Sequence, residues 1–174
     1  SVLSDSLNVM IDKINELLEK VTKEQIRIRK AEFELLQSQI NPHFLYNTLD
    51  AIVWLAESGE QQKVVNMVGS LSEFFRTSLN QGKEIVTIQE ELQHVRSYLE
   101  IQQVRYQDIL QYDINIPQEM ENCQIPKITI QPLVENALYH GVKNKRGQGR
   151  IQISGMREGA YAVIKVEDNG IGIE

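Results

Sequence analysis

The chain has 174 residues, 41% of them hydrophobic and 24% charged, which suits a folded protein of one ordinary domain, or a small domain with an elongated element. A formal net charge of −6 argues against nonspecific nucleic-acid binding. The single cysteine, Cys123, excludes an internal disulfide framework and any Cys-x-x-Cys metal site, and it fits reduced, cytoplasmic surroundings.

Residues 5–40 carry apolar positions at alternating spacings of three and four: Leu7, Met10, Ile14, Leu17, Val21, then Ile28, Ala31 and Leu35, with Glu24 interrupting the row. A sustained period near 3.5 predicts a parallel coiled coil. A single amphipathic helix packed on its own domain is the alternative, although no nearby segment is long enough to cover such a stripe. At ~1.5 Å per residue the helix is expected to be on the order of 50 Å long. Pro42 removes a backbone donor and disfavours helical geometry at Asn41. A kink is expected there, with Asn41 capping a helix that restarts, runs to about Glu57 and stops at Ser58-Gly59.

A further helix is predicted over 61–80, with Val64, Val68, Leu71 and Phe75 on one face, Met67 and Phe74 beside it, and Gln81-Gly82 closing it. Thr87-x-x-Glu90 is a capping box that opens the next helix. Leu92, Val95 and Leu99 form its buried stripe, and it is expected to end near Tyr106. From Ile109 the period changes to two. Leu110, Tyr112, Ile114 and Ile116 alternate with polar residues as a half-buried strand that Pro117 ends. Glu119–Gln124 reads as a loop, Ile128 to about Val142 as a helix ending at Gly141, and Gly147-Gln148-Gly149 as a turn. Arg150–Met156 and Ala160–Glu167 read as two strands around a hairpin at Arg157-Glu158-Gly159. The order predicts an α plus α/β protein: an elongated α dimerisation region, then an incomplete α/β sandwich. No apolar run approaches ~18 residues, so no membrane span is expected in this chain. It opens on Ser1 in a polar-amphipathic pattern with no signal peptide, and reads as a piece of a longer protein.

Three motifs carry chemistry. His43 stands just past Pro42, at the end of the heptad segment. A neutral imidazole nitrogen is a good nucleophile near pH ~7, and an exposed position on a rigid helix would let a mobile domain reach it. Asn47, four residues on, shares its face and can hold a water or orient the ring. By themselves a helical His and a surface Asn are ordinary. Glu135-Asn136 lies on an apolar helix with Leu133, Val134, Ala137 and Leu138. The Asn136 amide can give Mg²⁺ an oxygen, and Glu135 can orient water or a hydroxyl; a solvated polar face is the plainer reading of both. His140 can contact a phosphate or simply favour the helix C-terminus. Asp168-x-Gly170-x-Gly172 follows a strand. Its glycines permit positive φ and close approach of backbone to a ligand, and its carboxylate can accept from an adenine amino group. Lys143, Lys145 and Arg146 suit a triphosphate, or are a solvated basic loop. His94 sits in mid-helix with no partner motif. Together the motifs have the layout of a phosphoryl-transfer system, with ATP at the second and third motifs and His43 receiving the phosphoryl group.

These residues jointly resemble the LytS/YesM-type sensor histidine kinases of bacterial two-component systems. Gln39–Leu49 (QINPHFLYNTL) is similar to that family's phospho-acceptor box. Leu71–Leu79 and Glu90–Arg105 resemble its linker helices, Ile130–Gly141 (IQPLVENALYHG) its Asn box, and Glu167–Gly172 its first glycine box. Residues 4–20 look like the last helix of a HAMP signalling module. The resemblance implies a HAMP-end coiled-coil helix over 1–40, a helical dimerisation and phospho-acceptor region over 41–107, and the first part of a GHKL-type ATP-binding domain over 108–174. It further implies a homodimer, Mg-ATP, His43 as the phosphorylated residue, Asn136 as the Mg²⁺ ligand and Asp168 as the adenine contact. A response-regulator aspartate would be the acceptor. The chain would be the cytoplasmic portion of a sensor anchored in the inner or plasma membrane.

Three departures stand out. Phe44 follows the histidine where many histidine kinases have an acid, a change the LytS/YesM family shares; the general base stays open, with Glu135 one candidate. Tyr139 stands where other kinase families have a phosphate-contacting Lys. No second glycine box or ATP lid lies within these 174 residues. The isolated chain is therefore expected to bind ATP poorly, to show no autophosphorylation, and to leave apolar surface uncovered near Ile151, Ile153, Val163 and Ile164. Two competing functions are a noncatalytic dimeric stalk or adaptor with a degenerate nucleotide site, and a gyrase-like or chaperone-like ATPase. The Asn-Pro-His box on a heptad stalk argues against the latter.

Overall fold

The computed structural model describes residues 2–39, 41–79, 83–107, 109–143 and 145–172, without the side chains of 2, 3 and 30–39. The helix stop expected at Gln81-Gly82 and the side chains of Ala31 and Leu35 lie outside the described residues. The chain forms two compact units, Ser1–Phe44 and Leu45–Glu174.

Helix α1, Val2–Gln39, makes up most of the first unit. Its described seam residues Leu7, Met10, Ile14, Leu17, Val21 and Ile28 are each 50–59% exposed, so the apolar stripe is uncovered within one chain. Glu24 pairs instead with Arg27 on the same helix, at 3.6 Å. The helix breaks where expected. Asn41 is non-helical, α2 runs Pro42–Glu57, and Asn41 Oδ1 accepts from the His43 backbone N–H at 3.1 Å. Proline thus occupies the first helical position, where a missing N–H costs nothing.

In the second unit α2 ends in a Schellman motif. Glu60 N donates to Leu55 O at 3.0 Å and Gly59 N to Ala56 O at 3.1 Å, and Gly59 supplies the left-handed residue with φ +74°. The helix buries Thr48 and Leu55 and leaves Leu49, Val53 and Trp54 exposed. Helix α3, Gln61–Leu79, buries Met67, Phe74 and Ser78. Val68, expected on the buried face, is 48% exposed, while Val64, Leu71 and Phe75 are half-buried. The helix is rotated from the expected face by what it packs on: Phe74 stacks over the His94 ring, with centroids 4.6 Å apart, and lies 6.3 Å from the Tyr98 ring.

Those rings belong to α4, Ile88–Arg105, which opens with the expected capping box. Glu90 N donates to Thr87 Oγ1 at 3.1 Å and Thr87 N to Glu90 Oε2 at 2.8 Å. Leu92, Val95 and Leu99 are buried as expected, and so are Ile88, Tyr98 and Ile101, because α4 is covered on all but a narrow face of Gln89, Gln93, Arg96 and Gln103.

Two short strands were not legible in the sequence. Strand β1, Ile85–Thr87, pairs antiparallel with β3, Gln124–Pro126, a stretch that overlaps the expected loop. Three residues are too few to display an alternating pattern. The main sheet has three strands. Strand β2, Leu110–Asn115, runs parallel to β4, Gly149–Glu158, and β5, Tyr161–Asp168, runs antiparallel to β4. Glu158 pairs with Tyr161, so the hairpin turn is Gly159-Ala160, one step beyond the expected place, with Gly159 at φ +60°. Between β2 and β4 the chain passes through a short helix, α5, Gln131–Asn136, which widens into a π-helical turn over Ala137–Val142. The protein is thus a mixture of helix and sheet. Ile151 and Ile153, expected to be uncovered, are fully buried: they sit on the central strand, in the same core as Leu110, Val134, Leu138 and Val142. Val163 and Ile164 on the outer strand are half-buried.

Candidate functional site

His43 is the second residue of α2 and its side chain is exposed, as a nucleophile reached by another domain requires. The Asn41 cap and Pro42 fix its backbone. Asn47, one turn on, is half-buried.

The Asn136 helix starts at Gln131, not Ile128, for a physical reason. Ile128 has φ +60°, a rare conformation for a β-branched residue that cannot continue a helix. It is held by Glu91 of α4, whose carboxylate accepts from Ile128 N at 3.0 Å and Ile130 N at 2.9 Å. Glu91 is 2% exposed, so a buried carboxylate ties the start of α5 to α4. Glu135 is half-buried and accepts from Gln131 Nε2 at 2.9 Å, while Asn136 and His140 are exposed. The helix does not end at Gly141. It widens, with Lys143 N donating to Leu138 O at 2.8 Å, the bonding of a π-turn. The Lys143 ammonium lies 5.5 Å from the centroid of the Tyr139 ring.

At the end of β5, Asp168 Oδ1 accepts from Gly170 N at 2.8 Å, and Asn169 Oδ1 accepts from Arg150 N at 2.7 Å. This turn packs directly on the π-turn. A Cβ on Gly141 would stand 2.3 Å from Asp168 Oδ1, and one on Gly170 would stand 2.3 Å from the Gly141 backbone. Gly170 therefore needs glycine for close approach to backbone, whereas at Gly141 only the Asp168 side chain stands in the way. Gly172, at φ +79°, faces open space. So the helical run bearing Asn136 and His140 meets the turn bearing Asp168 and Gly170 at one glycine-to-glycine contact, whereas His43 belongs to the first compact unit.

Asn136, His140, Asp168 and Gly172 lie on open surface. A cavity of about 610 Å³ lies elsewhere, between α3 and α4, lined by Ser70, Glu73, Arg96 and Glu100 among others, and no sequence-predicted site residue borders it. Among the described residues there is no cluster of three or more His, Cys, Asp or Glu able to hold a metal. An exposed Asn136 amide still fits Mg²⁺, which takes few protein ligands and keeps phosphate oxygens and water.

His94, given no partner by the sequence, is buried with partners on both ring nitrogens: Thr77 Oγ1 at 2.8 Å from Nδ1, and Gln131 Oε1 on Nε2. Burial lowers its pKa, outweighing the bond to Gln131 and the charge of Glu91. Burial likewise lifts the Tyr98 phenol far above its usual range, with the charge of Glu135 a lesser cause. Glu91, His94, Gln131 and Gly141 are the residues that sequence reasoning missed. The one available signal was the polar side chains Glu91 and His94 flanking the apolar stripe of Leu92, Val95 and Leu99.

The histidine kinase family model matches residues 31–110. The chain is 42% identical over 173 residues to the sensor histidine kinase YesM of Bacillus subtilis, a match covering 99% of this chain and 30% of YesM. It is 40% identical over 147 residues to the sensor histidine kinase BtsS of Escherichia coli, covering 84% of this chain and 26% of BtsS. The chain belongs to the sensor histidine kinase family. It is also 35% identical over 147 residues to the sensor protein LytS of Staphylococcus epidermidis, covering 84% of this chain and 25% of LytS. The chain thus spans less than a third of the length of the curated relatives it matches. Among the described residues, no helix is long and apolar enough to cross a membrane.

Proposed function

We propose that this chain is the part of a homodimeric, membrane-anchored sensor histidine kinase that joins a HAMP-end helix (1–40) to a phospho-acceptor region (41–107) and to the first part of a GHKL-type ATP-binding domain (108–174). The observation that carries the reading is the packing of the Asp168-x-Gly170 turn on Gly141 of the Asn136 helix, which joins two separate sequence motifs into one surface.

In this reading ATP is the substrate and His43 the nucleophile. A ring nitrogen of His43 forms a bond to the γ-phosphorus as the bond to the ADP oxygen breaks, and the ring proton leaves to a base, with Glu135 the candidate. Mg²⁺ held through the Asn136 amide supplies charge neutralisation on the triphosphate. Such transfer depends on positioning and electrostatics more than on covalent chemistry by the protein. Asp168 accepts from the adenine amino group, Gly170 and Gly172 let backbone approach the nucleotide, and His140 contacts a phosphate. Asn47 orients the His43 ring or a water. The phosphoryl group then passes to an aspartate of a response regulator. The uncovered seam of α1 supports a parallel dimer, and exposed Leu49, Val53 and Trp54 on α2 support its continuation there.

The open face around Asn136 and Asp168 favours a second reading, a noncatalytic dimeric stalk. It also leads us to expect weak Mg-ATP binding by the 174-residue chain alone. Labelling of the intact kinase with radioactive ATP separates the two readings. At sub-saturating ATP, Asn136→Ala should lower the phosphorylation rate roughly a hundredfold, the scale of losing one charge-stabilising contact, and Asp168→Ala, which loses the adenine contact, roughly tenfold through weaker ATP binding. Wild-type rates in both variants would sink the nucleotide-site assignment.

A further inference from the structure

A polar chain crosses the second unit, and the reaction described above leaves most of it unused. Thr77 Oγ1 is 2.8 Å from His94 Nδ1, His94 Nε2 meets Gln131 Oε1, and Gln131 Nε2 donates to Glu135 Oε1 at 2.9 Å. It begins on α3, passes through α4 and ends on α5, one residue before Asn136.

Donor and acceptor rules give the chain one direction. A carboxylate only accepts, so the Gln131 amide turns its NH₂ to Glu135 and its carbonyl to His94. That carbonyl requires a donor, so Nε2 of His94 carries a proton. His94 is 4% exposed and its burial favours the neutral ring, so Nδ1 is bare and can accept from the Thr77 hydroxyl. Stacking on Phe74 fixes the ring plane. A histidine that only filled the core could satisfy its nitrogens on backbone carbonyls or water, and this ring does have a backbone bond at Phe74. This one is wired, through a single 6%-exposed glutamine, to a half-buried carboxylate beside the proposed Mg²⁺ ligand.

We propose that His94 is a positioning residue for Glu135: through Gln131 it sets the direction of the Glu135 carboxylate, and through Thr77 it makes that direction depend on how α3 packs against α4. The inference rests on the assignment of Glu135 to orienting water or receiving the His43 proton. Thr77 Oγ1 also lies 2.9 Å from Glu73 O and 3.1 Å from Phe74 O, so its hydroxyl has a second place to donate. A shift of α3 that draws Thr77 away from the ring leaves the hydroxyl on those carbonyls of its own helix, and Nδ1 without its donor. The ring can then take its proton on Nδ1, which turns the Gln131 amide over and presents its oxygen to Glu135. Two acceptors facing each other repel, and the carboxylate swings away. Movement of α3 against α4 is thereby converted into a change at the Asn136 helix.

The test is steady-state autophosphorylation of the intact kinase. His94→Leu removes the donor to Gln131 and should lower kcat roughly tenfold, a part of the ~10²–10⁴ that a positioned acid–base group supplies, with the KM for ATP within about twofold. His94→Gln offers an amide N–H in the same place and should recover most of the rate. In a Glu135→Gln background, His94→Leu should cause no further loss of kcat. If His94→Leu does not fold, Gln131→Met cuts the same chain and carries the same comparison. Equal losses in the Glu135 and Glu135→Gln backgrounds, or a change confined to KM, would overturn the proposal. An unchanged rate in Glu135→Gln alone would overturn both it and the role of Glu135. Loss of labelling in Asn136→Ala would then show that the nucleotide site itself still stands.

Discussion

Replacing each of the two contacting glycines by alanine should separate folding from nucleotide binding. On Gly170 the new Cβ would lie 2.3 Å from both Cα and C of Gly141 and 2.5 Å from its O. Carbon atoms prefer about 3.5–4.0 Å, so two backbone segments must part by more than ~1 Å. Ile171 N donates to Gly141 O, joining the two segments, and Asn169 N donates to Arg150 O, tying the turn to β4, so the segments cannot part freely. The cost should sit near the upper end of overpacking, about 3 kcal/mol. On Gly141 the Cβ meets only the Asp168 carboxylate, at 2.3 Å from Oδ1 and 2.7 Å from Cγ. That side chain can rotate away, losing the exposed bond from Gly170 N, worth ~1 kcal/mol. Alanine in place of helical glycine returns ~1 kcal/mol. Gly141→Ala should therefore fold within about 1 kcal/mol of wild type and yet lose at least roughly tenfold in ATP affinity, because Asp168 no longer points where adenine would bind. Urea unfolding of the chain and nucleotide titration of the intact kinase check the two halves. A Gly170→Ala variant as stable as wild type, or a Gly141→Ala variant with unchanged ATP affinity, would refute the contact as described.

Other outcomes follow from single interactions. Glu91→Ala strands the N–H groups of Ile128 and Ile130 and removes what holds the left-handed Ile128; urea unfolding should show a loss of about 3 kcal/mol, and Glu91→Gln, which keeps one acceptor, about half of it. The lowered pKa of His94 makes stability depend on pH. Above pH ~6.5 both states hold the ring neutral and its contribution is complete; as pH falls below ~6.5 the unfolded chain takes up a proton that the native state refuses. Stability should then fall by at most ~1.4 kcal/mol per pH unit until the native pKa is reached, and His94→Gln should remove that component from unfolding curves recorded across the window. Glu24→Leu completes the apolar seam of α1, so it should raise the melting temperature and tighten self-association; light scattering that finds a monomer at micromolar concentration would exclude the dimer.

The features legible in the sequence were those encoded locally. The Asn41 cap, the Thr87–Glu90 box, the Gly59 stop and the alternating strands each depend on residues within a few positions of one another, so pattern alone sufficed. What escaped depends on distant partners. The face of α3 is decided by rings on α4. The left-handed Ile128 is unreadable without Glu91, 37 residues earlier. His94 looked idle because its partner Gln131 is also 37 residues away. Gly141 read as a helix stop because glycine commonly ends helices, whereas here it lets a turn from β5 lie against the helix. At the candidate site the residue types were visible, but the glycine contact that joins two of the motifs was not.

The most direct test of the account is where the phosphoryl group ends up. The intact kinase, incubated with Mg-ATP and digested at neutral or alkaline pH, should carry an acid-labile phosphoryl group on the peptide containing His43, and His43→Ala should fold normally and carry none. An acid-stable label, or a label that persists at another residue in the His43→Ala variant, would contradict it.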